Sequence, residues 1–406
     1  MHKFLVYFVF FFPCIFNIIL PFYIEKNQND SLSFYDKFIN NNKITDFYIG
    51  TPPKKIPIYI KSEYFPFYIS IFSDIYNPNN SQTYKQISQR ISFLLLNKIV
   101  TQGYQSKETF IFDNNTINDF PFFLEIIPLF NLSGILGLNL KPQLDLESNS
   151  LLYNLKNKKL ISNYIWTYEF IDDKKEKGNL IIGEFPHNYN PSKYKEQLFK
   201  KTKAEIVGNI IDWYILFDAI KIGNYSINIR KVLLRLEFGL IKGTKQLEEI
   251  IINNYLKGKK YEKIKENIYT YYCFNDKSII DNFQSIIFYI KELNETFILS
   301  KEDLFTEYQK KYYLNIFFPD YDEIVPYWIL GNIFLKKYQF IFNIDQKTIG
   351  YYSGISNNSN NFLIIIIIFI LIIILIFLIY FYIKLTKKRK KRQNEINEIY
   401  EYISKD

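Results

Sequence analysis

Two short triplets hold the residues whose chemistry needs explaining: Lys61-Ser62-Glu63 and Arg235-Leu236-Glu237. Each follows an apolar run and sets a glutamate two residues after a cation. Two carboxylates held close together can divide the work of acid and base, because proximity splits their pKa values. The two cations can do neither job at neutral pH. Arginine keeps its proton in proteins, and a protonated lysine is not a base.

The elements around the triplets read as β-structure. Short runs rich in β-branched and aromatic residues recur between turn signals. Before Lys61, Ile56, Ile58 and Ile60 alternate with Pro57 and Tyr59, a strand with one face inward. The turn Gly50-Thr51-Pro52-Pro53 precedes it, with prolines that pre-set the backbone. A helix is expected after Gly243-Thr244, where Leu247, Ile250, Ile251 and Tyr255 share one face and Gly258 ends it. Residues 25–43 are polar and read as a flexible leader. Residues 187–211 read as a connection between an N-terminal lobe (44–186) and a C-terminal lobe (212–352).

Several motifs, in order, carry a family resemblance. Tyr48-Ile49-Gly50-Thr51-Pro52-Pro53 resembles the opening hairpin of pepsin-like aspartic proteases. Asn77-Pro78-Asn79-Asn80-Ser81-Gln82-Thr83-Tyr84, Gly134-Ile135-Leu136-Gly137-Leu138 and Gly178-Asn179-Leu180-Ile181-Ile182-Gly183 are similar to later segments of the first lobe. Trp213-Tyr214 with Ile220-Lys221-Ile222-Gly223 resembles the strand pair that begins the second. Trp328-Ile329-Leu330-Gly331-Asn332-Ile333-Phe334-Leu335, continued by Phe340-Ile341-Phe342-Asn343 and Ile349-Gly350-Tyr351, resembles the terminal block. The resemblance implies an all-β, two-lobed fold of β-barrel lobes related by a pseudo-twofold, and an endopeptidase ancestry.

It also implies an aspartate at each place where Lys61 and Arg235 stand. In the family those aspartates share a proton and hold the attacking water. Phe93 stands where the flap tyrosine is expected, and Leu94, Leu95 and Leu96 replace a glycine-rich flap tip. The pseudo-twofold would gather the four charges of the triplets. The glutamates then either face solvent or form a cross-lobe quartet, Lys61 with Glu237 and Arg235 with Glu63. A replacement catalytic pair is the third option. No cofactor or metal is expected.

Charge and hydropathy place the chain at a membrane. Of the net charge of +9, residues 384–406 carry +4 and Lys3 one more, leaving about +4 spread over the rest. That is too dilute for a nucleic-acid face. Residues 362–383 are apolar and uncharged, about 33 Å as a helix and enough to span a bilayer. Residues 353–361 link it to the lobes. Lys384, Lys387, Lys388, Arg389, Lys390, Lys391 and Arg392 follow and mark the cytosolic side. Residues 1–24 read as a signal peptide or a retained anchor. The expected protein is a type I membrane protein of the secretory or endolysosomal system or cell surface, in contact with lipid through its helix.

Seven glycosylation sequons, at Asn29, Asn79, Asn114, Asn131, Asn224, Asn294 and Asn357, agree with lumenal exposure. Tyr400-Glu401-Tyr402-Ile403 fits an endocytic sorting pattern, with Tyr400 and Ile403 as its anchors. Cys14 and Cys273 leave no disulfide expected within the folded part, and Cys273 reads as a buried thiol. The leading functional expectation is an inactive ectodomain that binds extended peptides or proteins in its cleft. An endopeptidase using non-standard groups and a structural surface protein are the alternatives.

Overall fold

Alternation in the sequence sets the strand that carries the first triplet. In Lys54–Lys61, Ile56, Ile58 and Ile60 are buried while Pro57 and Tyr59 lie at the half-buried face. In this computed structural model residues 17–25, 32–39, 41–62, 67–71, 75–95, 99–113, 115–127, 132–139, 150–172, 174, 176–207, 210–321, 323, 326–353, 372–377 and 379–390 are described, those at 93–95, 99–101, 206–207 and 210–211 by backbone alone.

Residues Met1–Ser353 form one compact unit. Its N-terminal half is barrel-like. Lys43–Ile49 pairs with Lys54–Lys61 across the turn, where Gly50 has φ +86°, and also with Ile99–Phe112. That positive φ is why a glycine is needed there. In the C-terminal half, a sheet runs from Glu205–Val207 through Ile210–Leu216, Lys231–Leu234 and Trp328–Leu330 to Phe305–Tyr308. A second, four-stranded sheet is built from Ala219–Ile222 and its neighbours. The mostly β architecture with barrel-like sheets agrees with the pepsin-like expectation.

The two halves repeat one device. Lys54–Lys61 runs parallel to Gly134–Gly137, with Ile60 opposite Leu136 and Lys61 opposite Gly137. Lys231–Leu234 runs parallel to Trp328–Leu330, with Leu233 opposite Ile329 and Leu234 opposite Leu330. An Ile-Leu-Gly sequence thus flanks each triplet. Leu138 N donates to Lys61 O, and Arg235 N donates to Leu330 O. The backbone therefore presents Lys61 and Arg235 equivalently.

Aromatic packing joins the halves beneath this device. Trp166 stacks on Phe342 with centroids 3.9 Å apart and meets Trp213 edge-on. Trp213 Nε1 donates to Leu138 O at 2.7 Å, tying the second half to the strand end that supports Lys61. All three rings are buried, so their hydrophobic contribution is near its maximum.

Three segments differ from expectation. Ile18–Ile24, placed within the translocation signal by its hydropathy, is a strand pairing with Lys177–Ile182 from Ile18↔Ile182 to Tyr23↔Lys177. Its period of two buries Ile18, Leu20 and Phe22 on the core face. The leader is not wholly flexible: Phe34–Ile39 is a helix whose Phe34, Tyr35 and Ile39 are buried. Within the connection, Phe199–Lys203 forms a strand against Thr348–Tyr352. The expected helix after Thr244 is present as Lys245–Ile251, capped by the Thr244 side chain, and continues through a wider turn over Ile252–Leu256.

Residues Gly354–Asp406 form the other unit. Residues 372–377 and 379–390 are helical. Among the described residues no helix is long and apolar enough to cross a membrane. The first ten residues of the 362–383 run lie outside the described ones, as do Tyr400 and Ile403.

Candidate functional site

Ser62 of the first triplet meets Leu236 and Glu237 of the second where the halves face each other. Ser62, buried, donates through its Oγ to Glu237 Oε2 at 2.7 Å, and its backbone N donates to the same oxygen at 3.0 Å. Leu236 N donates back to Ser62 Oγ at 3.1 Å. Three hydrogen bonds thus cross between the halves, all through Ser62, two to Glu237 and one from Leu236.

Arg235 is buried and anchored within its own half. Its Nη2 lies 2.5 Å from Asp212 Oδ2 and its Nη1 3.3 Å from Glu237 Oε1. The guanidinium fork suits this: one planar group can serve two carboxylates at once. Burial pushes the Asp212 carboxyl above its ordinary pKa, against the pull of Arg235 and the Trp213 backbone N–H. Burial acts on Glu237 in the same sense, but there Arg235, Lys61 and the Ser62 hydrogen bonds prevail and hold the carboxyl below its ordinary value. The two acids that flank one arginine are therefore displaced in opposite directions.

Lys61 is half-buried, and its Nζ donates to Asn42 Oδ1 at 2.7 Å. No ion pair joins it to Glu237 among the described residues; it acts on that carboxylate through space. The cross-lobe pairing of Lys61 with Glu237 is thus replaced by Lys61 with Asn42. Arg235 takes Asp212 and Glu237 from its own half. Glu63 lies outside the described residues.

A second lysine enters from the strand Lys43–Ile49. Lys43 is fully buried, and its Nζ donates to Leu236 O and, at 2.5 Å, to Asn332 Oδ1. Burial drives its pKa well below the ordinary lysine value; Glu237 opposes this, while Lys336 and Lys61 add to it.

Asp212, Lys43, Asn42 and Asn332 were not found from sequence. For Asp212 a signal existed: a single acid inside the apolar strand Ile210–Leu216 needs a cation, and Arg235, at the end of a similar apolar run, is one that could serve it. Phe93 is described by backbone, opposite Thr101 in the hairpin of Ile91–Leu95 with Ile99–Phe112. The flap tip at 96–98 lies outside the described residues.

Of the sequons, Asn79, Asn224 and Asn294 are exposed, and Asn29, Asn114, Asn131 and Asn357 lie outside the described residues. Cys273 is buried, with its thiol pushed up to about 11, first by burial and then by Glu262. Among the described residues no group of three or more His, Cys, Asp or Glu could hold a metal ion.

Compared with known proteins, residues 61–353 match one family, described as eukaryotic aspartyl protease. No curated protein sequence matches the chain significantly.

Proposed function

We propose that this chain, which belongs to the eukaryotic aspartyl protease family, is a member without peptidase activity that binds peptide or protein segments at a membrane. The observation that carries this reading is the state of Glu237. One of its oxygens accepts from Ser62 Oγ and Ser62 N, and the other faces Arg235. A carboxylate engaged in this way is poorly placed to take a proton from a water molecule, and its depressed pKa makes it a weak base. The family chemistry also needs a second carboxylate from the other half, where Lys61 stands.

The membrane anchor is supported by the uncharged run at 362–383 and the basic residues after it, and a lumenal orientation by that charge asymmetry. The exposed turns bearing Asn79, Asn224 and Asn294 agree with glycosylation in such a compartment. The repeated strand device, one copy in each half, supports a division of the chain into two lobes.

The test is incubation of the purified full chain, in detergent, with an unstructured protein from acidic to neutral pH, with and without the transition-state mimic pepstatin. No cleavage is expected at any pH. Pepstatin-sensitive cleavage would overturn the reading in favour of an endopeptidase using unconventional groups. Capture of peptides from a random library by the same preparation is the positive arm. Absence of both activities would favour a structural surface protein.

A further inference from the structure

We propose that N-linked glycans at Asn224 and Asn294 close the two open edges of the four-stranded sheet and stop it from pairing with a second copy of this chain. This role is separate from peptide binding and rests on the proposed reading only for the lumenal orientation.

The sheet is ordered Tyr225–Ile227, Ala219–Ile222, Ile286–Ile290, Glu295–Leu299, so its first and last strands each have one side without a strand partner among the described residues. Such a side presents unpaired N–H and C=O groups and recruits another strand unless something prevents it. An identical strand from a second copy pairs with it self-complementarily. The terminal strands of the two larger sheets are protected in other ways. Lys85–Gln86 is two residues long, and Phe199–Lys203 carries Lys200, Lys201 and Lys203. Glu205–Val207 is broken by a register shift between Glu205 and Ile206. Tyr308, at the end of Phe305–Tyr308, packs against Phe34 and Phe38 of the short helix. Tyr225–Ile227 has no charged residue. Glu295–Leu299 has one, and Glu295 is already paired with Lys200 at 3.7 Å.

The two strands that lack those protections are the two that a sequon introduces. Asn224 immediately precedes Tyr225, and Asn294 immediately precedes Glu295; both asparagines are exposed. The hydroxyl residues of the sequons, Ser226 and Thr296, lie exposed within the strands themselves. Ala219–Ile222 runs antiparallel to Ile286–Ile290 with Ile222 opposite Ile286. The turn bearing Asn224 is therefore at one end of the sheet and the turn bearing Asn294 at the other, so each edge receives one glycan where its strand begins. Asn79 lies instead in the short turn Pro78–Asn80, outside any strand.

The Glu295–Leu299 edge has a second device. Ile298 N donates to the Tyr338 hydroxyl at 2.8 Å, and that hydroxyl donates to Ile298 O at 3.0 Å. One phenol thus occupies both groups that a neighbouring strand would use. By antiparallel alternation Thr296 turns its N–H and C=O to the same side as Ile298, and it stands two residues from Asn294. Phenol and glycan together cover the edge. In the modification, Nδ2 of the asparagine attacks the anomeric carbon of a lipid-linked oligosaccharide pyrophosphate. The C–N bond forms, the C–O bond to the pyrophosphate breaks, the amide nitrogen releases one proton and the lipid pyrophosphate leaves. The glycan so added is bulky and solubilising, which is what an open edge needs.

The experiment uses the full chain made in a eukaryotic secretory host and purified in detergent. Mass spectrometry reads occupancy at Asn79, Asn224 and Asn294, and light scattering reads the protein mass before and after an endoglycosidase trims the folded protein. Glycans are expected at Asn224 and Asn294. Trimming is expected to double the protein mass as concentration rises and to slow hydrogen exchange of the 295–299 amides. The double variant Asn224→Gln, Asn294→Gln should do the same without enzyme, while Asn79→Gln leaves the mass unchanged. Tyr338→Phe in the trimmed protein should lower the concentration at which the mass doubles. Should the double variant fail to fold, trimming of folded wild type still decides. A missing glycan at Asn224 or Asn294, or an unchanged mass after trimming, overturns the inference. With Asn79 occupied, such a failure leaves the lumenal orientation standing; with none of the three occupied, that orientation falls as well. Mass doubling in a preparation that captures no library peptide would leave this inference standing and remove the binding role.

Discussion

Lys61 and Arg235 occupy equivalent backbone positions and meet opposite fates. Lys61 sits half-buried and uses a neutral partner, Asn42. Arg235 is buried and is matched by two carboxylates, Asp212 and Glu237. The difference teaches where compensation is needed. A charge at the rim keeps part of its water, whereas a buried guanidinium must recover its lost hydration from fixed acceptors. The shared strand geometry fixed the position of each cation, and burial alone decided what had to surround it.

The sharpest way to break this comparison is to remove one acid. Asp212→Ala takes from a buried arginine one of the carboxylates that match it, and a loss of about 3–5 kcal/mol is expected in urea unfolding. A loss below about 1 kcal/mol would mean that solvent reaches Arg235 and that the two triplets do not differ in kind. Replacing Arg235 by Met alone should cost a comparable amount at neutral pH, because Asp212 then stands buried without its cation. That loss should shrink on acidification. With the arginine gone, burial acts on Asp212 with no guanidinium to oppose it, so its folded pKa lies above its unfolded one and the folded state gains as pH falls through it.

Glu237→Gln gives the next largest effect, and its sign follows from the depressed pKa. A carboxyl whose folded pKa lies below its unfolded value contributes fully above the unfolded pKa. The contribution is lost as pH falls through the folded value. The urea midpoint of Glu237→Gln should therefore lie below wild type at neutral pH and converge on it in acid, below the ordinary glutamate range. Asp212 is displaced upward and works in the opposite sense, taking its proton earlier on the way down. A difference that persists unchanged into strong acid would show that Glu237 acts by shape and not by charge.

How much of this was legible in sequence depends on whether a residue's meaning is local. The turn at Gly50, the alternation of Ile56, Ile58 and Ile60, and the two Ile-Leu-Gly strands are local patterns, and they mark the strands that lead to Lys61 and Arg235. The partners were not legible in the same way. Asp212 and Arg235 are separated by 23 residues, and only the sheet pairing of Ile210–Leu216 with Lys231–Leu234 brings them side by side. The strand Ile18–Ile24 was obscured because one apolar run can satisfy two readings, translocation by its hydropathy and sheet formation by its period of two. The helix at Phe34 was hidden by the polar residues around it, since four apolar residues in six make a face only once another surface covers them.

The smallest expected effect belongs to Lys61, and it sharpens the comparison most directly. Lys61→Met removes one hydrogen bond to a neutral amide at a half-buried position, a change on the order of 1 kcal/mol or less. The retained methylene stem keeps its packing. The same substitution also withdraws a positive charge that helps hold the Glu237 carboxyl below its ordinary value. Stability at neutral pH should therefore fall only slightly, through the hydrogen bond and the weakened hold on the Glu237 carboxylate, while the acid-side loss of stability moves to higher pH as the Glu237 pKa rises. A large loss at neutral pH with no movement of the acid limb would instead place Lys61 in the same class as Arg235, as a buried charge dependent on its partner.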